Sequence, residues 1–198
     1  MAAIVRPHAF VIEPVQVREQ DQALDEPLGQ AAAALRTAGV SPAVADAVRA
    51  MYRRLGIDPT KTRPSSEALR RRVRKGDELP RVNSLVDVIN WCSAESGLPF
   101  GLYDLHRIEG PVAVRLGEPG EEYPGIRKDV VHVAGRPTLA DTAGPFGNPT
   151  SDSARTMITT ATTSAMVVIF VPTTLEASVG PAIERMVRER VGQYATAP

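Results

Sequence analysis

The hydrophobic pattern of this chain changes its period close to Gly97. From about residue 30 to that point, apolar residues recur every three or four positions, as on one face of a helix. From there to about residue 171, they recur every second position or form short runs, as in strands. The almost wholly apolar run 165–171 predicts a central strand that is covered on both faces. Helices, then strands, then an amphipathic helix over 175–194 predict an α+β fold, with a mixed or antiparallel sheet packed against helices.

Capping residues and periodicity place the individual elements. We expect one domain over 1–198, in which 1–55 form a bracing N-terminal portion, 56–172 form the core and 173–198 form a last helix. Ser41, Pro42 and Gly56 are typical of the two ends of a helix. The predicted elements are a strand over 9–17, helices over 30–38, 41–56, 65–75 and 84–95, and strands over 112–116, 130–133, 138–141 and 165–171.

Composition excludes several classes of function. The chain has 23 basic and 23 acidic residues, so any attraction to nucleic acid must come from a local patch. One cysteine, Cys92, excludes an internal disulfide framework and suits a reducing compartment, and we expect it to be a buried apolar residue. The three histidines are scattered, and the apolar runs are too short to span a bilayer. We therefore expect a cytoplasmic protein with no metal, no cofactor and no membrane partner.

Polar residues interrupt the apolar face of the helix predicted over 84–95. Asn83 or Ser84 caps this helix, Asp87 lies in its first turn, and Asn90 projects near the edge of the buried stripe. Such polar groups are costly in an apolar setting unless they have partners or a chemical role. Asn90 is therefore a candidate functional residue.

The helix predicted over 65–75 carries a cluster of cations. Arg71, Arg74 and Lys75 share one face, and Arg70 and Arg72 flank it. The pattern fits a solvated face with a Glu67–Arg71 pair, and it equally fits a patch that contacts the phosphates of a nucleic acid. The sequence leaves both interpretations open.

Residues 140–156 read as a long polar loop between two strands. Glycines, prolines and small polar residues suit a loop that turns its backbone amides toward a ligand. The alternative is a surface loop held by Asx turns, with Asp152 and Arg155 as a local ion pair. No nucleophile elbow, phosphate-binding glycine loop or metal cluster is present in the sequence. The side chains that would make specific contacts are Asp141, Asn148, Asp152, Arg155 and Thr156.

From Arg54 to Pro172 the chain resembles the B3/B4 domain of the phenylalanyl-tRNA synthetase beta subunit, and more closely the free-standing B3/B4 proteins. The matching segments occur in family order. They are LGIDP (55–59), RPSSEAL (63–69), RRVRKG (71–76), LP (79–80), NSLVDVIN (83–90), LP (98–99), YD (103–104), IEG (108–110) and Arg115.

The resemblance implies an editing domain that hydrolyses wrongly attached tyrosine from tRNA. Asn90 matches the asparagine of the editing pocket, and Gly144 and Gly147 match its glycines. Gly101 stands where synthetases have a histidine, and an apolar position near Met166 stands where they have the glutamate that recognises the tyrosine hydroxyl. Loss of that carboxylate removes the discrimination for tyrosine, so we expect a different substrate.

Our first hypothesis is a deacylase that acts on mischarged tRNA. Its catalytic residues would be Asn90 and Asp141, helped by the backbone amides of 144–148. The substrate would contact Gly101, Gly144, Gly147, Asn148, Asp152 and Arg155, and tRNA would contact Arg70, Arg71, Arg74 and Lys75. The alternatives are a non-catalytic module that binds tRNA, another RNA or an amino-acid-like ligand, and an enzyme of tRNA-dependent amino-acid transfer. The sequence leaves the oligomeric state open.

Overall fold

The computed structural model describes residues 4–126 and 128–196. The helices in these ranges are α1 (Asp25–Thr37), α2 (Pro42–Arg54), α3 (Ser65–Arg74), α4 (Ser84–Ser96) and α5 (Val179–Tyr194). The strands are β1 (Val5–Ile12), β2 (Phe100–Asp104), β3 (Ala113–Leu116), β4 (Glu122–Gly125), β5 (Lys128–His132), β6 (Pro137–Asp141), β7 (Gly144–Asn148), β8 (Ser151–Asp152) and β9 (Ala165–Pro172). The predicted α+β class is confirmed.

The strand β9 lies at the centre of the main sheet. This antiparallel sheet has the order β1-β9-β2, and every residue of β9 is buried. Burial on both faces explains why its sequence is continuously apolar rather than alternating. The prediction of a central strand is confirmed. Because β1 pairs with β9 along its whole length, the N-terminal residues supply one edge of this sheet.

Helices cover one face of the main sheet. The helix α4 lies between α3 and α5 and contacts β2, while α5 packs on β1 and β9. Asn83 begins α4 by accepting a hydrogen bond from the Val86 amide (2.9 Å), and Gly97 ends it with a left-handed φ of 77°. This segment therefore folds locally as its sequence predicts.

A second sheet, of order β3-β6-β7-β8, packs beside the first, and β4 and β5 form a separate two-stranded ribbon. The rings of Tyr103 on β2 and Phe146 on β7 meet edge to face, with 5.0 Å between their centroids. The prediction of a long loop over 140–156 is wrong, because this segment contains the end of β6 and the whole of β7 and β8. The β6–β7 ladder tolerates Gly144 and Pro145 with a shift of register after Leu139.

Other elements differ from prediction at their ends. The first strand lies earlier than predicted, α1 begins at Asp25, and α5 begins at Val179 with Gly180 and Pro181 in its first turn. The predicted strands at 112–116, 130–133 and 138–141 correspond to β3, β5 and β6. The strands β2, β4, β7 and β8 were not predicted. The predicted division at residue 56 remains a prediction.

Candidate functional site

Asn90 lies at the rim of a cavity that opens between α4, β2 and the segment around β8. The buried stripe of α4 includes Leu85, Val88 and Cys92, and Asn90 is half-buried beside it. The cavity has a volume of about 610 Å³. We call it the Asn90 cavity; its lining residues are Ser65, Val82, Val86, Ile89, Asn90, Ser93, Phe100, Leu102, Ile126, Asp152, Ala154, Met157 and Ile158.

Most of the wall is apolar, and two of its polar groups have no partner. The Ser65 hydroxyl is buried without a hydrogen bond, and the half-buried side-chain amide of Asn90 has no hydrogen-bond partner within residues 4–126 and 128–196. Ser93, by contrast, donates to the carbonyl oxygen of Leu98 at 2.7 Å. Buried polar groups in folded proteins are nearly always hydrogen-bonded. The half-buried Asn90 amide is available to a ligand in the cavity, whereas the Ser65 hydroxyl is enclosed by the wall.

Asp152 supplies the acidic group of the cavity. Its Oδ1 accepts a hydrogen bond from the Tyr103 hydroxyl at 2.6 Å. Burial raises the pKa of Asp152 to about 7, although the bonds from Tyr103 and from the Leu102 amide act in the opposite direction. In the part of the chain that the structure describes, no cation pairs with this carboxyl. A carboxyl that titrates near neutral pH in a cavity is suited to accepting and returning a proton.

Asp141, the predicted catalytic carboxylate, does not line the Asn90 cavity. Its two oxygens accept hydrogen bonds from Arg155 at 3.0 and 2.9 Å, and they also accept from the amides of Glu109 and Ala143. Burial alone would raise the pKa of Asp141, but these partners outweigh it and hold the pKa below its ordinary value. The catalytic role predicted for Asp141 does not fit this geometry. The alternative pair of Asp152 with Arg155 is wrong as well, because Arg155 is bound to Asp141.

Two of the three glycines expected to contact substrate, Gly101 and Gly147, instead make room for Tyr103. A Cβ atom at Gly101 would lie 2.2 Å from the Tyr103 hydroxyl, and one at Gly147 would lie 2.3 Å from it. Gly144 has a φ of 111° and follows the turn into β7. None of these three glycines lines the Asn90 cavity.

Asn148 also serves the fold. Its Nδ2 donates to the Tyr123 hydroxyl at 3.0 Å, and its Oδ1 accepts from the backbone amides of Thr150 and Ser151. This is the Asx-type turn that the sequence allowed. The backbone amides of 144–148 thus belong to a strand and its turn. The prediction that they form a loop around a substrate oxyanion does not fit this structure.

Met166 lies away from Asn90. It is buried on β9 opposite Tyr103, and it lines a separate, mainly apolar cavity of about 480 Å³ together with Val114 and Leu139. The two positions at which the chain departs from the editing pattern, Gly101 and Met166, are therefore both outside the Asn90 cavity.

The cations of α3, together with Lys75 at its C-terminal end, divide into one structural residue, Arg70, and four exposed ones. Arg70 is 6% exposed and donates to the carbonyl oxygens of Ala94 (2.9 Å) and Ala38 (2.5 Å). Burial lowers the pKa of Arg70 from its ordinary value. Its predicted role in binding tRNA is therefore corrected to that of a link between α4 and the end of α1.

Arg71, Arg74 and Lys75 are exposed and line a groove of about 560 Å³ beside α2. The predicted Glu67–Arg71 pair does not form, because Glu67 accepts from Arg49 at 2.7 and 3.0 Å and from Arg63 at 3.1 Å. The exposed cations remain compatible with a phosphate contact.

The remaining chemically reactive side chains have structural surroundings. Cys92 is fully buried, and burial raises the pKa of its thiol to about 11. His8 pairs with Glu184 at 2.7 Å. Across residues 4–126 and 128–196, no group of histidine, cysteine and acidic side chains could hold a metal ion, and no helix is both long and apolar enough to cross a bilayer.

The sequence matches a known family over most of this architecture. A family model described as the B3/4 domain matches residues 47–178. The chain belongs to the B3/4 domain family. The match begins within α2 and ends just before α5, so it includes α3, α4, β2 to β9 and every residue of the Asn90 cavity.

Individual relatives of this B3/4 domain are larger proteins. The phenylalanine–tRNA ligase beta subunit of Ralstonia nicotianae is 40% identical over 52 residues, which cover 26% of this chain and 6% of the relative. The crystal structure of an N-terminal fragment of the phenylalanyl-tRNA synthetase beta subunit from Pyrococcus horikoshii matches with a TM-score of 0.44 and 16% identity. That match covers 57% of this chain and 41% of the fragment. The chain thus spans much less than two thirds of either relative.

Sequence reasoning found part of this B3/4 cavity and missed the rest. Asn90 and Asp152 were predicted and lie on one cavity, whereas Ser65 was not predicted. Ser65 follows Pro64 at the start of α3, a position that predicts only the beginning of a helix. No local signal distinguishes a serine at a helix terminus that lines a cavity from one that does not.

Proposed function

We propose that this chain hydrolyses the ester between an amino acid and tRNA, with the aminoacyl group bound in the Asn90 cavity. The observation that carries the proposal is a carboxyl with a pKa of about 7, Asp152, which lines the same cavity as the unpartnered Asn90 amide. Perturbed titratable groups in clefts are concentrated at functional sites. The family relationship to subunits of a tRNA ligase supports an aminoacylated RNA as the ligand.

The proposed reaction uses a water molecule and two side chains. Asp152 in its ionised form takes a proton from water as the water oxygen attacks the ester carbonyl carbon. The Asn90 amide donates a hydrogen bond to the carbonyl oxygen, where negative charge develops. When the intermediate collapses, the bond to the ribose oxygen breaks and Asp152 returns the proton to that oxygen. The products are a free amino acid and uncharged tRNA.

The lining of the cavity favours an apolar amino-acid side chain. Phe100, Leu102 and Met157 contribute to a wall on which a hydroxyl of the substrate would find few partners. The polar Asn90 amide is free for the backbone-like atoms of the aminoacyl group. We therefore place the substrate among tRNAs that carry large apolar residues.

The exposed cations of α3 are the proposed contact with the tRNA backbone. Arg71, Arg74 and Lys75 form a local basic patch on a chain with a formal net charge of zero. Phosphate contacts of this kind give an affinity that falls steeply with salt.

The test is a deacylation assay with a full panel of correctly and incorrectly charged tRNAs. We expect release of amino acid from at least one tRNA that carries an apolar residue. Asp152→Asn should lower the rate at least a hundredfold, and Asn90→Ala should lower it at least tenfold. Glu189→Gln, an exposed carboxylate on α5, is the matched control and should keep the wild-type rate. No release from any tRNA would refute hydrolysis.

A second candidate is a module that binds the aminoacyl group without hydrolysing it. It is favoured because Asp141, Gly144, Gly147 and Asn148 do not line the cavity, and Asn90 and Asp152 remain from the predicted set. It predicts salt-sensitive binding of aminoacyl-tRNA with no turnover, and Asn90→Ala would weaken that binding. Amino-acid transfer, the third possibility, predicts turnover only when an acceptor amine is present.

A further inference from the structure

Tyr103 occupies a slot whose two walls are glycines. Its side chain is fully buried, and no Cβ atom could stand at Gly101 or Gly147 without overlapping its hydroxyl and ring, since the nearest atoms would lie 2.2–2.7 Å away. The Tyr103 and Phe146 rings meet edge to face, with 5.0 Å between their centroids. A ring enclosed in this way has one position available, because interiors are close-packed and off-rotamer positions are costly.

The only hydrogen bond described for the phenol hydroxyl in that slot is to the cavity carboxyl. The Tyr103 hydroxyl donates to Asp152 Oδ1 at 2.6 Å. The other titratable groups that face Asp152 are Tyr52 on α2 and Tyr123 on β4. Their hydroxyls donate elsewhere, to the carbonyl oxygens of Pro149 (2.6 Å) and Ser151 (2.7 Å). Among the described residues, Tyr103 is the phenol bonded to this carboxyl.

We propose that Tyr103 is a positioning residue that fixes the Asp152 carboxyl in the Asn90 cavity, and that Gly101 and Gly147 are required because a side chain at either position would overlap the Tyr103 ring and hydroxyl. The consequence for catalysis rests on the hydrolysis proposed above. The consequence for Asp152 itself can be measured without any substrate.

Removal of the Tyr103 hydroxyl should change the titration of Asp152 in a defined direction. A hydrogen bond to the ionised carboxyl favours the charged form and so lowers its pKa, while burial raises it. Tyr103→Phe removes the lowering contribution and keeps the ring. We expect the pKa of Asp152 to rise by about one unit. Less of the carboxyl is then ionised at pH 7, and the rate of hydrolysis at that pH should fall about fivefold.

The experiment is an NMR titration of the carboxyl carbons in protein labelled at aspartate, with Asp152→Asn used to assign the signal. The proposal expects a higher midpoint in Tyr103→Phe than in the wild type. Tyr52→Phe removes another hydroxyl that faces Asp152 but donates to the carbonyl oxygen of Pro149 (2.6 Å), and it is the matched control with a midpoint near that of the wild type. An unchanged midpoint in Tyr103→Phe would overturn the proposal.

The positioning role and the proposed hydrolysis can fail separately. If the midpoint rises while no tRNA is hydrolysed by the wild type, the positioning role stands and hydrolysis fails. Should Tyr103→Phe not fold, the hydroxyl proton of Tyr103 in the wild type gives the test, because a proton donated to Asp152 should shift with the same midpoint as the carboxyl. A Tyr103 hydroxyl proton that is insensitive to this titration would contradict the proposal.

Discussion

Asp141 and Asp152 lie in the same four-stranded sheet, on β6 and β8, yet their surroundings make them chemically different. Asp141 has a bidentate partner in Arg155 and two backbone amides, and its pKa is lowered. Asp152 has the Tyr103 hydroxyl and the Leu102 amide but no described cation, and burial raises its pKa to about 7. Asp141 thus stabilises the fold as one half of an ion pair, whereas Asp152 is able to exchange a proton near neutral pH.

The same contrast separates the cations of α3. Arg70 is buried and donates to two carbonyl oxygens, whereas Arg71 and Arg74 on the same helix and Lys75 at its C-cap face solvent. Charge and position along a helix or strand therefore do not identify a functional side chain, whereas its hydrogen-bond partners and its burial do.

The largest effect on stability should come from breaking the ion pair between Asp141 and Arg155. Arg155→Met leaves the fully buried Asp141 side chain without its cation, and we expect the free energy of unfolding to fall by about 3 kcal/mol. The double variant Arg155→Met with Asp141→Asn should recover much of this loss, since no uncompensated charge remains. Urea unfolding measures both, with Arg185→Met on α5 as the exposed control. A loss below about 0.5 kcal/mol for Arg155→Met, within the range of surface substitutions, would remove Asp141 from its structural role.

Substitution of the buried Arg70 tests a second side chain to which we assign a structural role. Arg70→Met removes two charge-assisted hydrogen bonds to carbonyl oxygens near the ends of α1 and α4, so stability should fall by about 2 kcal/mol. The affinity for tRNA, measured in the same protein at a temperature where it is folded, should keep its dependence on salt. A reduced salt dependence would assign Arg70 to RNA after all.

Asp152→Asn should raise the stability of the protein near neutral pH, whereas the two preceding substitutions should lower it. Because the pKa of Asp152 is raised in the folded state, folding favours the protonated form, and stability falls as the pH rises from about 4 to about 7. Asparagine carries no such charge and can still accept from Tyr103. We expect Asp152→Asn to be more stable than the wild type at pH 8 by about 1–2 kcal/mol, and nearly equal at pH 4.5. Thermal unfolding at the two pH values measures this difference. If Asp152→Asn is less stable than the wild type by the same amount at both pH values, the Asp152 carboxyl is ionised at both and its hydrogen bonds stabilise the fold.

Much of the fold could be predicted because it depends on local signals. Asn83 and Gly97 carry the cap geometry of α4, and the continuous apolar run of β9 indicates burial on both faces. The strand β7 was missed because Gly144-Pro-Phe-Gly-Asn has the composition of a turn. Gly147 is instead required by a tyrosine on β2, a contact between residues far apart in sequence.

The site was harder to predict for a similar reason. The spacing of Asp152 and Arg155 favoured a local ion pair, but the sheet brings Asp141 to Arg155 and leaves Asp152 with Tyr103. Which carboxylate receives the cation is decided by the register of β6, β7 and β8, and no local pattern encodes it. Asn90 could be identified because an amide inside an apolar helical stripe is itself a local anomaly.

The smallest effect on stability should come from the exposed cations. The triple variant of Arg71, Arg74 and Lys75 to alanine should unfold like the wild type to within about 0.5 kcal/mol. Its affinity for tRNA should be lower, and the slope of log affinity against log salt should fall by about 2–3. Filter binding at several salt concentrations measures the slope. An unchanged slope would mean that the RNA contact lies elsewhere on the protein.

The most direct test of the central claim is the pH dependence of amino-acid release from the most reactive charged tRNA. If Asp152 acts as the base, the rate after subtraction of spontaneous hydrolysis should rise with pH through a midpoint near 7 and then level off, and Asp152→Asn should abolish this protein-dependent rate. A protein-dependent rate that shows no midpoint between pH 6 and 8, or that survives in Asp152→Asn, would contradict the claim.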